Sequence, residues 1–274
     1  MRSILKKYRN LLRFIIKFFI IYYFNKVLSV YRYYILPSLS LASLTKLKYS
    51  NETSSFYFEK SKNKINTLKI EGSDFVSDLC KLGKTFSTDK SSFNSKAHRH
   101  GYTFFYDILF SGLRSKKFNF AEIGIFKNNS FKMFRKYFTK AKLYGFDFER
   151  KYIDQAKKHK LKNTFYSLID VRKNSSIFKN FSKFNKKFKI IIDDSTHTFN
   201  DQIKIIKNCL WFLEKGGMLI IEDIFHFKDL DNKYYKSLKP YQKYFRNIFM
   251  VECNHINKFS AVQNNDKLLV LIKK

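Results

Sequence analysis

Apolar and polar positions change their spacing repeatedly along the last 160 or so residues of the chain. Short, nearly continuous apolar runs stand at 118–125 (FNFAEIGI), 143–148 (LYGFDF), 188–194 (FKIIIDD) and 218–221 (MLII). Runs of that length, rich in Ile and Phe and bounded by Gly or acidic residues, predict buried strands. Residues 164–168, 248–252 and 268–273 are further strand candidates. Between these runs the period lengthens. Phe131, Phe134 and Phe138 fall on one face of a helix that Ser130 is placed to cap. Residues 151–160 and 200–214 read as two more helices, the second stopped by Gly216 and Gly217. Apolar strands alternating with helices predict an α/β fold, a Rossmann-like, doubly wound, mostly parallel sheet covered on both faces.

The first 45 residues follow a different pattern. Lys6, Arg9, Arg13 and Lys17 recur at spacings of three and four, and Leu5, Tyr8, Leu12, Ile15, Ile16 and Phe19 take the other side. The pattern predicts a basic amphipathic helical extension, either lying in a membrane interface or packed on the body of the protein. Lys17, Lys26 and Arg32 interrupt every apolar run well short of the roughly 18 residues a span needs. Residues 46–75, with a Ser/Asn/Lys-rich stretch, read as a linker with short helical or extended pieces, and 76–274 as the main domain.

Composition narrows the partners. The 274 residues carry 54 basic and 22 acidic side chains, a formal charge of +32. Such a charge attracts nucleic acid, anionic lipid or acidic glycans. Only 10 of the 54 are Arg, however, and Lys, Asn, Ile and Phe saturate the chain, which points to a solvated basic surface rather than a nucleic-acid groove. Cys80, Cys209 and Cys253 form no close-spaced pair, so neither a zinc ribbon nor a CxxC redox site is expected, and a reducing, cytoplasmic compartment is the default, with the N-terminal segment available to the inner membrane face.

In a sheet of this kind the ligand sits beyond the carboxyl ends of the strands. Asp147, Asp193, Asp194, Glu222 and Asp223 all follow apolar runs and converge on that rim. Gly124 opens the first strand-to-helix turn, where it permits close backbone approach, and the helix that follows presents free N–H groups. Asp147, about 20 residues on, stands where an acid accepts hydrogen bonds from two ribose hydroxyls. The turn is not GxGxxG, so it suits a dinucleotide pyrophosphate poorly. Asp194, Glu222 and Asp223 repel one another unless a positive charge lies among them. A hard divalent cation such as Mg²⁺ would supply it and make a bound hydroxyl more acidic. His197 is then placed to take the proton. The bland alternative has Asp193 capping locally, His197 exposed and the acids paired with Lys.

Three segments together resemble a known family: 121–149 (AEIGIFKNNSFKMFRKYFTKAKLYGFDFE), 190–202 (IIIDDSTHTFNDQ) and 213–224 (LEKGGMLIIEDI). They look like class I S-adenosylmethionine-dependent methyltransferases, and more narrowly like the macrocin and mycinamicin sugar O-methyltransferases. Upstream, Ser87-Thr88-Asp89-Lys90 followed by His100, Tyr102 and Tyr106 matches the TDK…HxYxxxY stretch of that family. The resemblance covers roughly 80–225. It implies S-adenosylmethionine as cofactor, with Glu122 and Gly124 at its methionine end, Ser130 in the same loop, Asp147 on the ribose, and Asp89 and Tyr102 in the cofactor or substrate pocket. It implies Asp194, Glu222 and Asp223 as metal ligands and His197 as the base acting on a sugar hydroxyl of a glycan or glycosylated metabolite. Where the family's loop has a second small residue, this chain has Asn128 and Asn129; Asn accepts left-handed backbone, but its side chain can reach into the cofactor site. The alternatives are a non-catalytic glycan- or lipid-binding protein on a decayed scaffold, an RNA methyltransferase, or another reaction on the same fold, as in the similar cephalosporin hydroxylases.

Overall fold

A computed structural model describes residues 56–59, 65–94, 98–227, 229–259 and 265–274. The proposed N-terminal helix lies outside them. No helix among the described residues is long and apolar enough to cross a membrane.

Nine strands form one sheet: β1 (Phe56–Glu59), β2 (Asn66–Glu71), β3 (Asn119–Ile123), β4 (Lys142–Asp147), β5 (Thr164–Leu168), β6 (Phe188–Asp193), β7 (Leu213–Ile224), β8 (Phe245–Asn254) and β9 (Lys267–Lys273). Their order is β1-β2-β8-β9-β7-β6-β3-β4-β5. From β7 through β5 all neighbours are parallel, and β9 lies antiparallel between β7 and β8. The chain runs outward from β3 to β5, then crosses back to β6 and β7 on the other side of β3. The β3/β6 boundary is therefore the switch point where such a sheet opens a crevice.

Alternation along the strands builds two cores. Ala121, Ile123, Ile191, Leu219, Ile221, Leu269 and Leu271 pack on one face. There they meet α5 (Asn174–Ser182), α6 (Phe199–Cys209) and α7 (Leu230–Leu238). Phe120, Ile190, Ile192, Met218, Ile220, Leu268 and Val270 pack on the other. Their partners are α1 (Asp78–Thr85), α2 (Tyr102–Phe110), α3 (Asn129–Tyr137) and α4 (Arg150–Lys158).

Several elements differ from the sequence reading. The helix expected over 200–214 ends at Cys209, and Leu213 already pairs with Phe188. Gly216, at φ 68°, and Gly217 bend the start of β7 rather than stop a helix. A Cβ on Gly217 would lie 2.9 Å from the carbonyl oxygen of Phe188, so the register shift between Phe188 and Ile190 needs that glycine. Residues 66–71, read as linker, form β2 and pair in parallel with β8, so the sheet already begins before the boundary drawn at 75. The helices α1, α2, α5 and α7 are absent from the sequence reading; α1 is too short to stand out, although Leu79, Cys80 and Leu82 share one face. In α2 six of the nine residues are buried, which erases the period.

Phe134 is fully buried among Tyr106, Phe110, Phe120 and Phe138. Phe134→Ala is expected to destabilise the chain by about 3–5 kcal/mol, measured by denaturant unfolding. Burial holds the His255 imidazole down at about 4, edge-on to Phe93 and with Nδ1 accepting from the Asn257 N–H at 3.0 Å. A folded value below the unfolded one means that the unfolded chain binds the extra proton. Stability is thus lost as pH falls from about 6.5 toward 4, on the order of 2 kcal/mol between pH 7 and 5. His255→Asn should remove that share of the acid sensitivity in paired melts at the two pH values.

Candidate active site

Strand register places the acidic residues. Ile123 pairs with Asp193 and Asp193 with Ile221, so the ends of β3, β6 and β7 lie side by side. The next residues, Gly124, Asp194 and Glu222, therefore meet at one edge. The Asp194 N–H donates to the Ile123 carbonyl at 2.8 Å, and the Gly124 N–H to that of Phe146 at 2.8 Å. Gly124 sits at φ 89°, and a Cβ there would come within 2.0 Å of the Asp194 carbonyl oxygen. Only glycine allows the two strand ends to pass this closely.

Two adjoining cavities open at this crossing. One, of about 360 Å³, is lined by Gly124, Phe126, Asp147, Tyr152, Asp194 and His197 among others. The second, of about 320 Å³, runs along Ser87, Asp89, His98, Asn129 and Ser130. Asp89, Gly124, Phe126 and Asp194 belong to both walls. Asp147 takes a backbone N–H on each carboxylate oxygen, Phe126 on Oδ2 and Glu149 on Oδ1, both at 2.9 Å. Those bonds fix its plane and leave lone pairs toward the cavity.

The loop after β6 is tied at both ends. Ser195 Oγ donates to Asp193 Oδ1 at 2.6 Å, and Thr196 and Thr198 donate to Asp201 Oδ2 at 2.9 Å each. This holds His197 in left-handed backbone at φ 55°. A second left-handed residue, Asp223 at φ 59°, lies where the pairing of β7 with β9 shifts between Ile221 and Ile224. A bulge of this kind re-aims a side chain, and strained non-glycine backbone persists where its surroundings over-determine it. The Gln202 side chain joins the two segments by donating to the Glu222 carbonyl at 2.9 Å. As a result His197 Nε2 stands 3.6 Å from Asp223 Oδ2, and the ligand atoms of Asp194, His197 and Asp223 lie within 4.8 Å of one another.

Glu122, Tyr102, Glu222 and Asp223 are not on the walls of the two cavities; they stand behind them. Glu122 is completely buried and its carboxyl is pushed up to about 7 by burial, against the opposing charge of Lys90. Tyr102 faces Asp223, its hydroxyl donating to Oδ1 at 2.8 Å. Burial and the facing carboxylates push the phenols of Tyr102 and Tyr106 well up, which keeps both as donors. Tyr106 donates to Glu222 Oε1 at 2.5 Å.

Sequence reasoning missed Lys90, which carries no local signal of its partners. Its ammonium, 1% exposed, contacts Asp194 Oδ2 and Glu222 Oε2 and lies 3.7 Å from Glu122 Oε1. Burial alone would lower its pKa; the carboxylates of Asp194, Glu222 and Glu122 reverse that and hold it well above its ordinary value. His98 and His100 were also given no part. His98 lines the second cavity and contacts His100 at 2.7 Å, and His100 stacks on Tyr102 and reaches Asp223 at 3.4 Å. The TDK…HxYxxxY stretch thus delivers partners to the acids of the rim.

Ser130, read as the cap, lies inside α3, and Asn128 takes the left-handed position at φ 66° just before that helix, with no capping bond from its side chain. Its side chain turns away from the cavities toward His159 and Tyr166, at 3.1 and 3.4 Å. Asn129 does line the second cavity, with its amide donating to the Ser87 carbonyl at 3.3 Å. Cys80, Cys209 and Cys253 are free and buried.

A family model described as a methyltransferase domain matches residues 128–270. The 8-demethyl-8-(2-methoxy-alpha-L-rhamnosyl)-tetracenomycin-C 3'-O-methyltransferase of Streptomyces olivaceus is 24% identical over 175 residues, which cover 61% of this chain and 42% of that protein. The MycE methyltransferase from the mycinamycin biosynthetic pathway, solved with Mg and SAH, superposes with a TM-score of 0.54 at 17% identity, covering 72% of this chain and 53% of that one. A further structure of it, with Mg, SAH and mycinamycin VI, gives 0.54 at 18% identity over 73% and 55%. The chain spans about half the length of these relatives, or less. Since the matched region is more than half of its residues, the chain belongs to the methyltransferase-domain family.

Proposed function

We propose that the chain transfers a methyl group from S-adenosylmethionine to a sugar hydroxyl, with a divalent cation assisting. The observation that carries this reading is one cavity whose wall brings Gly124 and Asp147 together with Asp194 and His197. The relatives named above support a glycosylated acceptor.

The residues fit the cofactor. Asp147, oriented by two backbone donors, has acceptor capacity left for two ribose hydroxyls. Gly124 leaves its wall open where a Cβ would collide. S-adenosylmethionine supplies a methyl group already activated by its sulfonium charge. The protein's share is to place an oxygen nucleophile in line with that methyl and remove its proton. His197, on the cavity wall, takes the proton, and the adjacent Asp223 carboxylate stabilises the resulting imidazolium.

The residues also fit a hard cation in part. Asp194 and Asp223 offer oxygens beside His197, and oxygen is what Mg²⁺ selects, which leaves the imidazole for proton transfer. Bound there, a cation would lower the pKa of the acceptor hydroxyl. Glu222 is 1% exposed and lines neither cavity, with Lys90 on one oxygen and Tyr106 on the other, so an ion could reach it only by displacing Lys90.

Calorimetry with S-adenosylmethionine should show binding, weakened about tenfold or more in Asp147→Ala. With methyl-labelled cofactor and simple glycosides such as methyl α-L-rhamnoside, label should enter the acceptor. Activity should fall about 10²–10⁴-fold in His197→Ala with cofactor affinity kept. Chelator should depress turnover. Label appearing in RNA but in no glycoside would replace this reading with RNA methylation. No cofactor binding at all would leave a non-catalytic glycan- or lipid-binding protein.

A further inference from the structure

The acids of the rim do not share one environment. Glu222 is 1% exposed, with one oxygen on the Lys90 ammonium and the other accepting from Tyr106. Asp194 shares the ammonium but keeps 22% of its side chain exposed and lines both cavities. Asp223 meets uncharged donors, the Tyr102 hydroxyl at 2.8 Å, and the edge of His100 at 3.4 Å. The backbone around Lys90 is anchored too. Its carbonyl accepts the N–H groups of Tyr102 and Thr103 at 3.0 and 3.1 Å, and the Asp89 carbonyl accepts from His100 at 2.7 Å. One ammonium faces three carboxyl groups, Glu122, Asp194 and Glu222. Of the acids of the rim, Asp194 lines the cavities, and Asp223 stands just behind the wall, beside His197.

We propose that Lys90 is a resident cation of the rim, filling the place beside Asp194 and Glu222 that the resemblance gives to a metal. Glu222 is then a positioning residue, and a divalent cation is held by Asp194 and Asp223 next to His197. A buried ion pair stripped of one partner leaves an uncompensated charge, which is far costlier than the intact pair. Lys90 and Glu222 therefore belong together, and neither is free to serve a metal. This inference rests on the cation-assisted reading above, but its test uses neither cofactor nor acceptor, so the two fail separately.

The experiment is titration of the whole chain with Mn²⁺ and Mg²⁺ by calorimetry, with thermal melts in chelator and in Mn²⁺. The variants are Glu222→Gln, Asp223→Asn, Lys90→Met and the double Lys90→Met/Glu222→Gln. Glu222→Gln should keep cation affinity within about threefold, while Asp223→Asn loses about tenfold or more, as expected for loss of a charged ligand. Lys90→Met should melt lower in chelator and recover on adding Mn²⁺, which then takes the vacated position. The double variant should recover without metal, because a cation and an acid leave together. A wild-type chain that takes no cation overturns the assignment of a cation to Asp194 and Asp223, even where Lys90→Met takes one. Loss of affinity in Glu222→Gln equal to that in Asp223→Asn overturns the proposal. So does a Lys90→Met chain that melts like wild type in chelator, or the absence of cation binding in every chain. If Lys90→Met does not fold, the comparison of Glu222→Gln with Asp223→Asn, both of which keep Lys90, decides.

Discussion

Parallel strands that end side by side bring their first loop residues into contact, and here those residues are acidic. Glu122 at the end of β3, Asp193 and Asp194 after β6, and Glu222 and Asp223 in the bulged part of β7 crowd one edge of the sheet. Carboxyl groups withdrawn from water cost several kcal/mol each unless charge or hydrogen bonds compensate. The compensation comes from the segment between β2 and β3. Lys90 reaches three of the acids, Tyr106 supports Glu222, and Tyr102 and His100 converge on Asp223. Without that segment folded over it, the switch point of this sheet would repel itself. With it, the same acids make an electrostatically loaded wall around a cavity.

The sequence makes the parts of the molecule with a local cause readable. Apolar runs at 118–125, 188–194 and 218–221 announce β3, β6 and β7, because strands buried on both faces are apolar without alternation. The acids that end them mark the rim for the same reason: polar residues appear where burial stops. What stays hidden has a distant cause. Lys90 meets Asp194 and Glu222 across 104 and 132 residues, so the TDK stretch marks its position but not its partners. The helix α2 has apolar residues nearly all round, since it is pressed between the sheet and α1. Gly216 and Gly217 imitate a helix stop because Gly216, inside the irregular start of β7, uses the same left-handed backbone. Tyr102 stands in the TDK…HxYxxxY stretch, but that its hydroxyl meets the Asp223 carboxylate is visible only in side-chain geometry.

Position on the rim divides the work among the acids. Glu122 and Glu222 lie under the rim, where they reach Lys90 and, from Glu222, Tyr106. Asp194 touches the same ammonium but lines the cavities, and Asp223 stands behind the wall beside His197. Asp223 does so only because its backbone adopts φ 59°, and His197 faces it only because its own adopts φ 55°. Each of these conformations costs on the order of 1–3 kcal/mol in isolation. Both are held by side chains outside the reacting set: Thr196, Thr198 and Asp201 on one side, Tyr102 and His100 on the other. His197 and Asp223, fixed in opposed left-handed turns, cannot relax apart without breaking those supports. The pairing of His197 with Asp223 is thus a property of the folded sheet, present before any cofactor, metal or acceptor arrives.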